Sequence, residues 1–183
     1  MRSDYIRREE FEHILAALTP PNRLAMRVSL ATGLRIGDVL NLRTEQIQKA
    51  AKNKVCRPTV RELKTGKSRR VTIPRELCDE LLSQAGKIYL FENRLDQRKH
   101  RTRNAVWKDV KRAAALFRVD PNLQISPHSA RKIYAVSEYQ TSGSLKHVQE
   151  LLKHSSESIT MVYAMADQMT MRRLHQKGHG TRR

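Results

Sequence analysis

The sequence predicts an α+β fold that is predominantly α-helical and contains one small antiparallel β-hairpin. Two patterns lead to this prediction. Apolar residues recur at helical spacing along most of the chain, whereas residues 54–74 are β-branched, charged and interrupted by a turn signal. At 183 residues the chain is long enough to bury a core, and we expect residues 1–183 to form a single domain.

Three helices are predicted before the hairpin. REEFEHILAAL places the apolar residues from Phe11 to Leu18 on one face, NRLAMRVSLATG ends at Gly33, and RIGDVLNLR forms the third helix. In KVCRPTVRELKTGKSRRVTIP we expect two strands joined by a tight turn at Thr65-Gly66. Pro58 lacks an N–H donor, so the first strand must be an edge strand or begin late.

Helices resume after the hairpin. RELCDELLSQAG has Pro74 in its first turn, and NAVWKDVKRAAALF is expected to turn Val106, Val110, Ala113 and Phe117 towards the core. Three more helices are predicted in HSARKIYAVSEYQ, SLKHVQELLKH and ESITMVYAMA.

The composition narrows the class of protein. No window has the apolar length of a membrane span, and MRSDYIRREE lacks the apolar core of a signal peptide. Cys56 and Cys78 are far apart and have no paired spacing, which argues against a disulfide framework or a zinc site. We therefore expect a cytoplasmic protein without a metal or another cofactor.

Charge indicates a polyanionic partner. Thirty-six Lys and Arg residues against eighteen Asp and Glu residues give a formal net charge of +18. Between Lys52 and Arg70 there are eight basic residues and one acid, Glu62, and RKHRTR forms a second basic patch. Nucleic acid is the expected partner, because each neutralised phosphate releases condensed counterions. A membrane surface fits less well, because these runs do not alternate with large apolar residues.

Several short motifs could bind or transform a phosphate. In SPHSARKIYAV, Ser126 suits the N-cap, and His128 and Arg131 follow on one face near the positive helix end. Arg35 stands at the start of a helix, where the partial positive charge of the helix dipole disfavours a cation. The positive charge of Arg35 should therefore be balanced either by Asp38 or by an anionic ligand. Each motif also has an ordinary interpretation, such as a surface ion pair between Arg35 and Asp38.

Taken in order, ATGLRIGDVL, LKTGKSRRVTIP, PHSARKIYA and LLKHSSESITMVYA resemble the tyrosine recombinase family, also called the phage integrase family. The resemblance extends from about Arg8 to Ala166 and implies that family's catalytic-domain fold. The family pattern is an Arg, a hairpin Lys, His-x-x-Arg, a His or Trp and a nucleophilic Tyr. The chain supplies these residues in this order: Arg35, Lys64, His128, Arg131, His154 and Tyr163.

The resemblance implies that the chain breaks and rejoins double-stranded DNA. Tyr163 would attack the scissile phosphate, leaving a 3′-phosphotyrosyl link and a free 5′-hydroxyl, without a metal or ATP. Arg35 and Arg131 would clamp the phosphate oxygens. Lys64 would protonate the leaving oxygen, with Lys67 as a second candidate for this role.

The resemblance also implies roles for three further side chains. His128 would act either as a general acid–base or mainly as a structural group that holds the tyrosine. His154 would donate a hydrogen bond to the phosphate, and Asp38 would support Arg35. We also expect the following basic residues to contact DNA: Lys67, Arg69, Arg70, Arg101, Arg103, Lys132 and Lys153.

One departure from the family concerns domain organisation. Members usually carry an N-terminal helical domain that completes a clamp around DNA, and we expect this chain to lack that core-binding domain, either as a fragment or as a small recombinase. Weak, salt-sensitive DNA binding should follow. Residues 167–183 form either a frayed basic terminus or a segment that packs on a neighbouring protomer. We expect a monomer in free solution and a tetramer on paired DNA sites.

Three alternatives to this function remain open. The first is a DNA-binding accessory or regulatory protein with the same fold and little catalysis. The second is an enzyme that relaxes DNA in the manner of a type IB topoisomerase, and the third is a basic helical RNA-binding module. A comparison of relaxation with two-site recombination would separate the enzymes, and a preference for duplex DNA would eliminate the RNA-binding module.

Overall fold

The computed structural model describes residues 3–117 and 123–152. In these ranges the elements are α1 (Arg8–Ala16), α2 (Pro20–Thr32), α3 (Ile36–Leu40), α4 (Thr44–Ala51), β1 (Thr59–Arg61), β2 (Ser68–Arg70), α5 (Arg75–Ser83), α6 (Arg103–Leu116), α7 (Pro127–Ser142) and α8 (Leu145–Leu152). The predicted fold class is therefore confirmed: the described chain is mostly helical, with one antiparallel pair of strands.

A single large hydrophobic core joins most of the helices. α2 packs against α1, α3 and α7, and α6 packs against α1, α3 and α7. Phe11, Met26, Val39 and Val110 are completely buried where these helices meet. The predicted inward face of α1 is confirmed, and burial of this apolar surface is the main term that stabilises the arrangement.

The inward face of α6 is confirmed except at its end. Val106, Val110 and Ala113 are buried, but Phe117 is 46% exposed. The prediction for Phe117 was wrong because α6 ends at Leu116, so the helical spacing no longer applies to the residue after it. The Phe117 ring instead stacks on His13, with 6.0 Å between ring centroids.

The hairpin forms where the sequence predicts it. Thr59 pairs with Arg70 and Arg61 pairs with Ser68 in the antiparallel register. β1 begins directly after Pro58, which confirms the late start. The connection covers residues 62–67, and Gly66 has the positive φ of 67° that the turn requires.

Two features were not predicted. α4 was missed because its sequence, TEQIQKAA, is largely polar; only its buried side packs against α5. Cys56 and Cys78, which the sequence separates, are both buried free thiols with 2.8 Å between their Sγ atoms. None of the helices in the described ranges combines the length and apolarity needed to cross a membrane.

Candidate active site

The junction between α2 and α3 positions Arg35. Gly33 ends α2 with φ of 65°, as predicted, and its missing side chain leaves room for the ring of Tyr134. A Cβ on Gly33 would lie only 2.4 Å from Tyr134 Cδ1, so both the backbone conformation and the close packing require glycine. Arg35 follows as the N-cap residue of α3.

Arg35 pairs with an acid that the sequence prediction did not choose. Its Nη1 atom donates to Glu62 Oε2 at 2.8 Å, and its side chain keeps 18% of its surface exposed. Asp38 is instead 2% exposed and accepts a hydrogen bond from the backbone N–H of Leu63 at 2.8 Å. The alternative of a surface pair between Arg35 and Asp38 is therefore wrong.

Asp38 connects α3 to the hairpin and retains an unused bonding atom. Its Oδ2 atom is buried and has no hydrogen-bond partner among the described residues. Burial raises the pKa of Asp38, and the nearby Glu62 charge adds to this effect. The Leu63 N–H and the charges of Arg35 and Arg131 act in the opposite direction without cancelling it.

The hairpin connection carries Lys64. Glu62 N donates to Lys67 O at 2.9 Å and Gly66 N donates to Glu62 O at 2.8 Å, which closes the base of the connection. Lys64 and Lys67 are exposed beyond this base. The charge of Lys64 nevertheless contributes to lowering the pKa of His128, so these two side chains share one electrostatic environment.

The start of α7 has the predicted capping geometry. Ser126 is the N-cap residue, its Oγ accepts a hydrogen bond from His128 N at 3.3 Å, and Pro127 is the first helical residue. Partial desolvation lowers the pKa of His128, and so do the charges of Arg131 and Arg35. His128 itself is exposed at the surface.

Arg131 lies below His128 and is 2% exposed. Its Nη1 donates to Gly33 O, and its Nη2 donates to Leu152 O at 2.7 Å. The guanidinium thus connects the carbonyl of Gly33, which directly follows α2, to the carbonyl of Leu152 in α8. Arg131 thus holds α7, the end of α2 and α8 together through a buried side chain.

Arg69 requires a correction. It was predicted to contact DNA, but its side chain is 7% exposed and points into the protein. Its guanidinium donates to Leu151 O at 2.5 Å and to Thr32 O at 3.2 Å. Arg69 and Arg131 therefore bind adjacent carbonyls, at Thr32 and Gly33 and at Leu151 and Leu152, and Arg69 does not belong to the exposed basic surface.

The remaining predicted DNA contacts differ in exposure. Lys67, Arg70 and Arg103 are exposed, whereas Arg101 and Lys132 are partly buried. The Arg103 side chain also covers Gly37, two residues after Arg35; a Cβ on Gly37 would lie 3.2 Å from Arg103 Cδ. Lys153, His154 and Tyr163 lie outside the described residues, as does the 167–183 segment.

Glu62 is the site residue that sequence reasoning missed. It is completely buried and contacts Arg35, Arg69 and Thr65. One signal was available, because Glu62 is the only acid among the basic residues from Lys52 to Arg70. A lone acid in such a run is a candidate for an internal partner of the arginines.

Comparison with known proteins identifies the family. A sequence model of the Phage integrase family matches residues 4–169, which is most of the chain. The chain belongs to the phage integrase family.

Relatives and solved structures agree with this assignment. The chain is 26% identical over 179 residues to "Tyrosine recombinase XerA" of Thermococcus kodakarensis, covering 93% of this chain and 61% of that protein. It is 30% identical over 145 residues to "Probable integrase/recombinase YoeC" of Bacillus subtilis, covering 77% of this chain and 75% of that protein. The chain spans about half to three-fifths of the length of the tyrosine recombinases that it matches first.

The fold is that of solved integrase structures. A lambda integrase dimer bound to a COC′ core site superposes with a TM-score of 0.73 at 20% identity, covering 90% of this chain and 60% of that one. The catalytic domain of bacteriophage HP1 integrase gives a TM-score of 0.64 at 23% identity and covers 90% of this chain and 89% of that one. Identities at this level establish the shared fold.

Proposed function

We propose that the chain is the catalytic part of a site-specific DNA recombinase that cleaves and rejoins strands through a 3′-phosphotyrosyl intermediate. One observation carries the proposal. Arg35, Lys64, His128 and Arg131 come from three separate segments, yet α3, the hairpin and the start of α7 meet at one site. They are four of the six residues that match the family pattern in order.

The chemistry begins with the phenolic oxygen of Tyr163 attacking phosphorus. A bond forms between this oxygen and phosphorus, and the bond to the 5′-oxygen breaks. The leaving oxygen receives a proton from Lys64 and becomes a hydroxyl group, while His128 accepts the proton that Tyr163 loses. A 5′-hydroxyl from a second duplex can reverse these steps, and the result is an exchanged strand.

Positive charge at the site favours the transition state. Arg35 is partly exposed and can donate paired N–H groups to the phosphate oxygens as their charge increases. Arg131 is buried, so we propose that phosphate binding requires its guanidinium to exchange part of its carbonyl network for phosphate oxygens. His154 would complete the set with a further hydrogen bond.

The proposed partner is double-stranded DNA, bound by the exposed basic side chains around the site. We propose contacts from Lys67, Arg70 and Arg103, with Lys132 and Arg101 nearby and Lys153 beyond the described residues. The proposed assembly is a tetramer on paired sites, formed from monomers. The lambda integrase and XerH structures that share this fold are described as complexes with DNA, including a tetramer on a Holliday junction.

A two-site plasmid assay in EDTA tests the proposed function. The sites should be taken from DNA that flanks the gene. We expect recombinant plasmids from the wild-type chain and none from Tyr163→Phe. Relaxation of supercoils without recombinants would favour topoisomerase-like activity, and DNA binding without either product would favour an accessory role.

A further inference from the structure

Three arginines and one buried carboxylate connect the parts of the candidate site. Glu62 has 0% exposed side-chain surface, and its Oε2 accepts hydrogen bonds from Arg35 Nη1 at 2.8 Å and Thr65 Oγ1 at 3.2 Å. Its Oε1 lies 3.1 Å from Arg69 Nε. This second contact is an ion pair without hydrogen-bond geometry, and neither atom has a hydrogen-bond partner within residues 3–117 and 123–152.

Arg69 extends the connection to two helix ends. It donates to Thr32 O at the end of α2 and to Leu151 O at the end of α8. Arg131 makes the parallel pair of contacts one residue further along each helix, at Gly33 O and Leu152 O. In the sequence, His154 comes two residues after Leu152, and Tyr163 follows.

We propose that Glu62 is a positioning residue, which holds Arg35 with one carboxylate oxygen and Arg69 with the other. Through this bridge it fixes the Arg35 guanidinium relative to the end of α8, from which the chain leads to His154 and Tyr163. The inference rests on the proposed function, because it assigns the bridge a purpose in phosphoryl transfer. Glu62 acts through the arginines and does not itself contact DNA.

A carboxylate suits this purpose better than an apolar residue. Arg35 and Arg69 carry the same charge and would repel each other at close range in a poorly solvated site. The carboxylate offsets that repulsion and sets the distance between the two groups. Its backbone also closes the hairpin connection, since Glu62 binds Lys67 O and Gly66 N. Loss of the Glu62 carboxylate should therefore displace the Arg35 guanidinium slightly from its position at the phosphate site.

Glu62→Gln tests the bridge, with Glu80→Gln as the matched control. Glu80 also pairs with an arginine, Arg27, but this pair is about one-third exposed and lies on α2 and α5, away from the site. Single-turnover cleavage is measured at saturating DNA on a normal duplex and on one with a methylphosphonate at the scissile position. The methylphosphonate is neutral, so its reaction depends less on a correctly placed guanidinium.

We expect Glu62→Gln to slow cleavage of the phosphodiester by about 10²-fold, as misplacement by roughly 1 Å can do. The defect on the methylphosphonate should be about threefold, because less charge needs stabilisation there. Glu80→Gln should match the wild type on both substrates. A Glu62→Gln defect of equal size on both substrates would indicate general loss of structure and would overturn the proposal, as would no defect at all.

Hydrogen exchange tests the same bridge without catalysis. We expect peptides covering Leu145–Leu152 to exchange several-fold faster in Glu62→Gln and Arg69→Gln than in the wild type or Glu80→Gln. Unchanged exchange would contradict the connection to α8. If Glu62→Gln does not fold, Glu62→Asp keeps the charge but shortens the reach, and wild-type cleavage and exchange in Glu62→Asp would overturn the proposal.

The two readouts separate this inference from the proposed function. If the wild-type chain forms no adduct on either duplex, the proposed function fails, while the exchange measurement still tests the bridge. If the wild type cleaves and Glu62→Gln cleaves equally well, only the positioning role fails.

Discussion

Two buried clusters of polar residues differ in how completely their carboxylates are bonded. Asp109 on α6 accepts hydrogen bonds from Thr19 N, Thr19 Oγ1 and Asn22 Nδ2 at its Oδ2, and from the Arg112 guanidinium at its Oδ1. Asp38 at the candidate site accepts one, from Leu63 N, and its Oδ2 has none among the described residues.

The pKa values follow this difference. Burial by itself would raise the pKa of Asp109, but hydrogen bonds from Asn22, Arg112 and Thr19 outweigh it and lower the pKa to about 2. Burial raises the pKa of Asp38, and its single hydrogen bond does not compensate. A cluster that only stabilises the fold can saturate its acids, whereas a site that must receive a phosphate leaves its charges incompletely balanced.

The largest expected effect comes from Arg35→Lys, which keeps the charge but removes the planar pair of donors. We expect single-turnover cleavage to fall by about 10²- to 10³-fold, the usual cost of losing one donor to transition-state charge. The unfolding temperature should change little, because a cation remains next to Glu62. Cleavage within about threefold of wild type would contradict the clamp role of Arg35.

Asp109→Asn should affect stability instead of chemistry. The amide keeps the size of the carboxylate but has only one acceptor oxygen, so its NH2 group must face either the Thr19 and Asn22 donors or the Arg112 guanidinium. We therefore expect a loss of about 3 kcal/mol in the free energy of unfolding. Urea denaturation measures this loss. Asp79→Asn is the control, since Asp79 forms an exposed pair with Arg75 whose loss should cost less than about 0.5 kcal/mol.

The contribution of the Asp109 cluster should also be visible in how the free energy of unfolding depends on pH. The pKa of Asp109 is about 2 in the folded protein, below the 3.8 of an unperturbed Asp. Its contribution, about 2 kcal/mol, is therefore present above pH 4 and is lost as the pH falls towards 2. The difference in unfolding free energy between wild type and Asp109→Asn should shrink over this window. A constant difference would show that Asp109 does not ionise as described.

Asp38→Asn should give the opposite pattern. The raised folded pKa means that the charged carboxylate costs stability at neutral pH, and this cost disappears as the pH falls below the folded pKa. We therefore expect Asp38→Asn to lose less unfolding free energy at pH 7 than Asp109→Asn, while cleavage falls by roughly tenfold. A loss of stability as large as that of Asp109→Asn would remove the distinction between the two clusters.

The smallest effects are expected at the surface. Lys67→Ala and Arg70→Ala should each weaken duplex binding uniformly across sequences and lower the slope of log K against log salt by about one. Lys49→Ala is a control on α4, where Lys49 forms an exposed pair with Glu45. An unchanged slope in both variants would place the DNA elsewhere on the chain.

The sequence predicted those parts of the site that depend on local order. Gly33, the Ser126–Pro127 cap and the hairpin turn at Gly66 follow from backbone chemistry that neighbouring residues determine. The partners of the arginines could not be predicted in this way. Which acid pairs with Arg35 depends on how the hairpin docks on α3, and Asp38 was the nearer candidate in sequence while Glu62 is the one bonded.

The exposure of individual side chains was predicted least well where packing in the folded chain differs from what the local sequence suggests. Arg69 lies in a basic run but turns inward to bind helix-end carbonyls, and Phe117 lies in a helical pattern but follows the end of α6. The inward turn of Arg69 cannot be found from spacing, because its carbonyl partners Thr32 and Leu151 lie 37 and 82 residues away in the chain. Phe117 was mispredicted because the sequence pattern does not show that α6 ends one residue earlier.

The most direct test of the account is covalent trapping by the predicted nucleophile. The full chain is incubated in EDTA with nicked suicide duplexes from the DNA flanking its gene, and SDS-resistant adducts are compared among wild type, Tyr163→Phe, Tyr134→Phe and Tyr139→Phe. Burial raises the pKa of Tyr134 to about 12, so it should be a poor nucleophile. We predict an adduct with a 3′-phosphotyrosyl link that only Tyr163→Phe abolishes. An adduct that survives in Tyr163→Phe, or that disappears in Tyr134→Phe or Tyr139→Phe while both variants remain folded, would contradict the account.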